Sequence, residues 1–429
     1  MDKNLSWFKR IEGERITMEA QLVGQEKSCQ FGILELIRQR NIGALAIGQL
    51  FSLSGDQFYQ IALIWLTYKM TNNSLMMGLV AMSSAIPVLL FSLISGALAD
   101  NINKKRIMII ADSIRALAVI IIPISYYTGI ITVPLLIVIA FIMGTMSQFF
   151  NPAYHSIIPD ITNKENLIKT NSLISAIEQF TGVVAPSLVA ILLLFTSEVN
   201  LLIVTCSTYV ISVVMLNLLK GIKNPEKNMT GNLFGYIKSA FIYLKGNELI
   251  VTLILFGAVI NLFLSGVLTV ISPLYADKIL NTGKSGYGIL VSFITGGMFL
   301  GTLGINFLHK INKGRLFIIG FFGTGISFLF IGLSSISFIS YPLFIVFGFF
   351  RMLVNITFTV LLQEKVDNDK LGVVISFVIL VSAGLSPISS AISGYLAQYV
   401  ALPYFYECCG MVLMLVSFLA YRQRVIRNA

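Results

Sequence analysis

Charge is what this 429-residue chain has least of: 12% of its residues are Asp, Glu, Lys or Arg, about half the share of an ordinary soluble protein. A chain so poor in charge cannot clothe a soluble surface, so part of its solvent must be lipid. Histidine is scarce too, with two residues, and the four cysteines (Cys29, Cys206, Cys408, Cys409) follow no disulfide or metal-ligand spacing. Disulfide scaffolds, zinc and haem find no support, and no metal or cofactor is expected. The first 30 residues lack an apolar central run, so no cleavable signal peptide is predicted.

What the chain has instead is long apolar runs: 56% of it is hydrophobic and its mean hydropathy is +0.84. A spanning helix needs about 20 predominantly apolar residues, and twelve stretches qualify. They are 42–68, 75–99, 107–128, 132–151, 167–195 and 200–219, then 249–274, 286–308, 316–335, 338–362, 371–399 and 401–421. With both ends of the chain inside, the inner segments hold 25 of the 30 Lys and Arg, and the outer loops hold three, Lys69, Lys278 and Lys284. That asymmetry predicts cytoplasmic termini and an even number of helices. It also accounts for the formal charge of +10, which would otherwise suggest nucleic acid. The remaining two basic residues, Arg115 and Arg351, lie within helices.

The halves resemble each other. Asn101-Ile102-Asn103-Lys104-Lys105-Arg106 follows the second helix, Lys310-Ile311-Asn312-Lys313-Gly314-Arg315 follows the eighth, and Gly78-Leu79-Val80 recurs as Gly288-Ile289-Leu290. Parallel six-helix repeats around a central site are a transporter architecture. The expected organisation is a cytoplasmic leader 1–41, a six-helix bundle 42–219, a polar linker 220–248, a second bundle 249–421 and a tail 422–429. In the linker, Phe234, Ile237, Phe241 and Leu244 share one helical face, as in a helix lying on the inner leaflet; a flexible tether is the alternative.

The loop after the second helix reads Gly96-Ala97-Leu98-Ala99-Asp100, then Asn101 to Arg106. It resembles the signature loop of the major facilitator superfamily. Gly48, Gln49, Ser52, Gly55 and Asp56, Pro87, Asp112-x-x-Arg115, Phe150-Asn151-Pro152-Ala153 and Asn171-Ser172-Leu173 resemble its drug:proton antiporter branch, the macrolide-efflux and siderophore-exporter type. The resemblance covers about residues 38–420. It implies an all-α integral membrane protein with twelve transmembrane helices in two pseudo-symmetric bundles. It further implies that the loop (Gly96, Asp100, Lys104, Lys105, Arg106, with Asp112 and Arg115 behind it) acts as a conformational latch, Asp100 facing the N-terminus of the eleventh helix near Leu371. The chain departs from the family at Asn101 and Asn103, and reads Ala185-Pro186-Ser187-Leu188-Val189-Ala190 where antiporters have Gly-Pro-x-x-Gly-Gly.

Ionisable residues inside a membrane are costly and default to function. At 1.5 Å per residue, Asp56 lies roughly 21 Å along helix one, Glu178 roughly 16 Å along helix five and Arg351 roughly 18 Å down helix ten, all near mid-membrane. Asp56 or Glu178 is a candidate proton carrier; the bland reading of each is a structural hydrogen bond. Asp112 and Arg115 share a helix face and read as a brace against the signature loop, with substrate contact as the alternative. Arg351 has no carboxylate within a turn, so its partner is Glu178, Asp56 or an anionic substrate group. Glu407 reads as a gate residue. Phe58 and Tyr59 are candidate pocket aromatics, and Pro87, Pro186 and Pro387 candidate kinks. His155 and His309 are read as bystanders. Gly283-Lys284-Ser285 imitates a phosphate loop, but residue 278 is Lys where the motif needs glycine, so no ATP is expected.

The resulting expectation is a monomeric, non-enzymatic, proton-coupled exporter of small amphipathic molecules (drug, macrolide-like, peptide or siderophore) in the cell membrane, with a link to antibiotic resistance. A facilitative or lipid-translocating carrier of the same fold is the alternative, and a non-transporting membrane sensor or scaffold a more distant one.

Overall fold

The structure of the chain, a computed structural model, describes residues 36–162, 166–222, 248–305, 308, 311–366, 378, 380–381 and 384–423, with the backbone alone at 93, 96–101, 168, 248–249, 363 and 365. The leader up to residue 35, the linker face of Phe234 to Leu244, His309 and the start of helix eleven near Leu371 lie outside the described residues, as does the side chain of Asp100.

Helices form because each run must satisfy its backbone polar groups internally when lipid surrounds it. In the first half they are α1 (Arg40–Thr71), α2 (Ser74–Asn101), α3 (Lys104–Tyr127), α4 (Val133–Ile161), α5 (Leu167–Phe195) and α6 (Glu198–Asn217). In the second, α7 runs through Glu248–Gly266, a π-helical turn Val267–Ile271 and Ser272–Lys278. It is followed by α8 (Gly283–Gly304), α9 (Lys313–Leu333), α10 (Ser337–Lys365), α11 (Ser386–Leu396) and α12 (Leu402–Arg422). No strand occurs among the described residues. Ten of these helices are long and apolar enough to cross a membrane. The other two are α1, whose centre is diluted by Asp56, Gln57 and Gln60, and α11, of which 11 residues are described.

One boundary differs plainly from expectation. α4, expected to end at 151, continues through Pro152 and Pro159 to Ile161. Its last turns carry Asn151, His155 and Asp160, polar residues that hydropathy reads as loop. Pro87 and Pro186 lie inside α2 and α5. Pro387 lies in the first turn of the described part of α11.

The repeat seen in sequence is a repeat of local chemistry. Asn103 Oδ1 accepts the Arg106 amide at 3.2 Å and so caps α3, while Asn312 Oδ1 accepts the Arg315 amide at 3.2 Å and caps α9. Lys104 reaches Asp160 at the end of α4 at 2.7 Å, and Lys313 pairs with Glu364 at the end of α10. Lys105 donates to the carbonyl of Asn217, the last residue of α6, at 2.9 Å and to that of Leu219 just beyond it at 2.7 Å. Packing follows the same symmetry: α2–α4, α3–α4 and α3–α6 correspond to α8–α10, α9–α10 and α9–α12.

One apolar core gathers around Tyr59, Val119, Ile139 and Tyr209 of the first half and takes in Ala276 and Tyr287 of the second; another gathers around Phe317, Phe328, Phe347 and Tyr406 and takes in Ile64, Met77 and Ala81 of the first. Leu117, Leu194, Phe195, Leu333 and Phe338 point outward and are exposed, as lipid-facing side chains should be.

The halves meet through α2 against α11 and α5 against α8, again a symmetric pair. The repeated glycines sit at these crossings. A Cβ at Gly78 would lie 2.6 Å from the Ser390 carbonyl oxygen, and one at Gly288 would lie 2.8 Å from the Ala190 Cβ. Absence of a side chain lets the helices approach closely.

Candidate functional site: a central cavity beneath a closed end

The closed end is built from side chains at the turns α1–α2, α5–α6, α7–α8 and α11–α12. Tyr68 donates to Asp277 Oδ2 at 3.0 Å across the halves. Glu198, whose side chain is 1% exposed, accepts Lys69 from its own half at 2.6 Å and faces Lys284 from the other at 3.7 Å. Lys284 also donates to the Thr196 carbonyl at 2.9 Å. Ser74 donates to the Gly394 carbonyl at 2.9 Å, and Gln398 to Asn73 Oδ1 at 2.8 Å. At the opposite end, the described ion pairs Lys104–Asp160 and Lys313–Glu364 each stay within one half.

Below this seal lies a cavity of about 290 Å³ whose lining comes from both halves: Asp56, Tyr59 and Gln60 of α1, Ser84 of α2, Ser147 and Gln148 of α4, then Ser265, Thr269, Tyr287 and Ser390. The π turn of α7 borders it. The Val267 carbonyl accepts the Ser272 amide across the widened turn and the Ser272 hydroxyl as well, the latter at 3.0 Å. Beside it, Gly266 N–H donates to Ser389 Oγ at 2.8 Å, and Thr269 and Ser390 hydroxyls lie 3.2 Å apart. Such turns are frequent at functional sites.

Asp56 is the cavity face of a buried charge cluster. Its carboxylate, 26% exposed, accepts the Tyr209 hydroxyl at 2.7 Å and lies 3.9 Å from the Arg115 guanidinium. Arg115 donates to Asp112 Oδ1 at 3.0 Å. Asp112, fully buried, also accepts Ser212 of α6 at 2.6 Å and Ser52 of α1 at 3.3 Å. The guanidinium stacks over Phe150, 4.9 Å from its ring centre. The Asp112–Arg115 pair foreseen from spacing is therefore present, but it ties α3 to α1 and α6. The expected brace against the signature loop is not made by these contacts. Two carboxylates share one guanidinium, so the cluster carries a formal charge of −1, which one proton neutralises.

The other membrane-embedded charges are elsewhere. Glu178 lines a separate cavity of about 360 Å³ with Gln49, Gln57, Asn151, His155 and Thr181, between α1, α4 and α5. Arg351 lines a third, in the second half. Neither carboxylate proposed from sequence pairs with Arg351: Asp56 is turned to Arg115 and Tyr209, and Glu178 faces a cavity walled by the first half alone. Of the two candidate aromatics, Tyr59 lines the central cavity while Phe58 is packed in the core of the first half.

Sequence reasoning missed His155, which joins Glu178, and the whole closed end. Tyr68, Asp277 and Glu198 were not singled out, and Lys69 and Lys284 were counted only as outer charges. The symmetric placing of Gly78 and Gly288 was the available signal for where the halves touch.

Two pseudo-symmetric helical bundles around a polar cavity closed at one end define a membrane transporter. Residues 34–428 match the family model described as transmembrane secretion effector, and the chain belongs to that family of the major facilitator superfamily. It is 23% identical over 372 residues to the staphyloferrin A transporter of Staphylococcus aureus (strain NCTC 8325 / PS 47), covering 86% of this chain and 92% of that one. It is likewise 23% identical over 376 residues to macrolide efflux protein A of Streptococcus pyogenes, covering 86% and 92%. Among solved structures, a bacterial homologue of the iron transporter ferroportin superposes with a TM-score of 0.72 at 14% identity, covering 90% and 99%. The nucleoside transporter NupG gives 0.70 at 14% identity, covering 89% and 99%. The chain is accordingly a multi-pass membrane transporter and not an enzyme.

Proposed function

We propose that the chain is a secondary active exporter of small amphipathic molecules, working by alternating access and driven by protons entering the cell. The observation that carries the reading is the Asp56–Arg115–Asp112 cluster at the wall of a cavity shared by both halves. Only Asp56 of the three reaches the cavity, so it is the group that exchanges a proton with cavity water. Protonation neutralises the cluster and loosens Asp56 from Arg115, which biases a two-state bundle. Glu178 with His155 forms a second polar station on the same side. The secretion-effector family and the relatives named for efflux and siderophore transport support export and, by extension, antibiotic or siderophore substrates. With the Lys and Arg bias placing both termini in the cytoplasm, the sealed end faces outward and the cavity opens inward. The cell membrane is the proposed location, and a monomer the proposed state.

A facilitative carrier is the second reading, favoured by the degenerate segment Ala185 to Ala190. Everted vesicles decide between them. The exporter accumulates a macrolide or siderophore only when a proton gradient is imposed, and Asp56→Asn abolishes that accumulation while downhill flux persists. Gradient-independent transport by wild type leaves the carrier reading standing.

A further inference from the structure

Arg351 lines a cavity of about 260 Å³ inside the second half, walled by α7, α9, α10 and Val378. Its other walls are of two kinds. Phe317, Phe321 and Phe358 supply rings, and Asn261 and Asn355 supply amides. Asn261 spends an amide hydrogen on the Gly257 carbonyl at 2.9 Å.

Among the described residues the Arg351 guanidinium makes no ion pair or hydrogen bond; its one polar-type contact is the Phe347 ring, 6.0 Å away. The contrast with Arg115 is instructive. Arg115, also within a membrane helix, is held by two carboxylates and stacked on two rings. An unpaired guanidinium at membrane depth is expensive, and chains carry such a charge where something else meets it. The fork of donors matches the two oxygens of a carboxylate or the oxygens of a phosphate. The three phenylalanines beside it fit an apolar or aromatic body.

We propose that this cavity binds the anionic group of an amphipathic molecule, a carboxylate joined to an aromatic or aliphatic body. The inference deepens the exporter reading by assigning the charge class of its substrate. It also separates the two cargoes: the substrate anion sits in the second half, while the proton-exchanging Asp56 sits in the first. Proton and substrate then influence one another through the relative position of the halves instead of competing for one carboxylate.

The same chemistry is offered by an anionic lipid headgroup, and the test separates the sources. Purified full-length protein in phosphatidylcholine nanodiscs is titrated calorimetrically with 1-naphthoate and with uncharged 1-naphthamide. Naphthoate binds at least about tenfold tighter than the amide, Arg351→Gln removes that preference, and Arg351→Lys, which keeps the charge and the fold, retains part of it. Equal affinity for acid and amide, or an unchanged preference in Arg351→Gln, overturns the proposal. So does loss of naphthoate binding when phosphatidylglycerol replaces phosphatidylcholine, which assigns the cavity to lipid headgroups. Binding is read at equilibrium without flux, so it succeeds or fails independently of whether the protein exports.

Discussion

At the residue scale, the chain places three charges within one cluster but gives them unequal surroundings. Asp112 is dry and accepts hydrogen bonds from three partners, Ser52 of α1, Arg115 of α3 and Ser212 of α6, whereas Asp56 is a quarter exposed to the cavity. Removing a partner from a buried ion pair strands the other charge, at about 3–5 kcal/mol. Asp112→Ala should therefore lower the unfolding temperature in detergent markedly, and Asp56→Asn only slightly. Equal shifts in a thermal unfolding assay would contradict the division of labour between structure and proton exchange. Spacing alone revealed the Asp112–Arg115 pair because residues three apart share a helix face. It was silent about Ser52, Ser212 and Tyr209, which are brought in by other helices.

At the scale of elements, the repeated Gly78 and Gly288 are the points where α2 meets α11 and α8 meets α5. Filling either site wedges the halves apart at the sealed end. Overpacking costs about 1–3 kcal/mol, and a bias of that size shifts a two-state population by roughly 5–150-fold. Gly288→Leu should move the ensemble toward the state open at that end, read as longer spin-label distances across it, with a matching change for Gly78→Leu. Glu198→Gln should act in the same direction more weakly, since Lys69 is half exposed and solvent screens its pairing. Distances unchanged in both glycine variants would show that close packing there does not hold the end shut.

At the scale of the whole molecule, the charge bias predicts the orientation, with both termini in the cytoplasm. A fluorescent protein fused after Ala429 should fold and fluoresce, and a phosphatase fused in the α7–α8 turn near Thr282 should be active outside the cytoplasm. The reverse pattern would invert the proposed direction of transport.

Hydropathy, the Lys and Arg bias and the paired loops determined the class of protein, its helical runs and its two-fold repeat. These depend on composition and on neighbours along the chain, which local sequence records. The caps at Asn103 and Asn312 belong to the same category, since a helix start is a local event. Tertiary structure alone decided which charges meet. Of the partners offered for Arg351, neither Glu178 nor Asp56 is beside it, because Asp56 is held by Arg115 and Tyr209 and Glu178 lines a cavity of the first half. The seal from Tyr68 to Asp277 and from Glu198 to Lys284 joins residues far apart in sequence, with no spacing to announce them. Which end is closed, and hence where the cavity opens, is a property of how two bundles lean on one another.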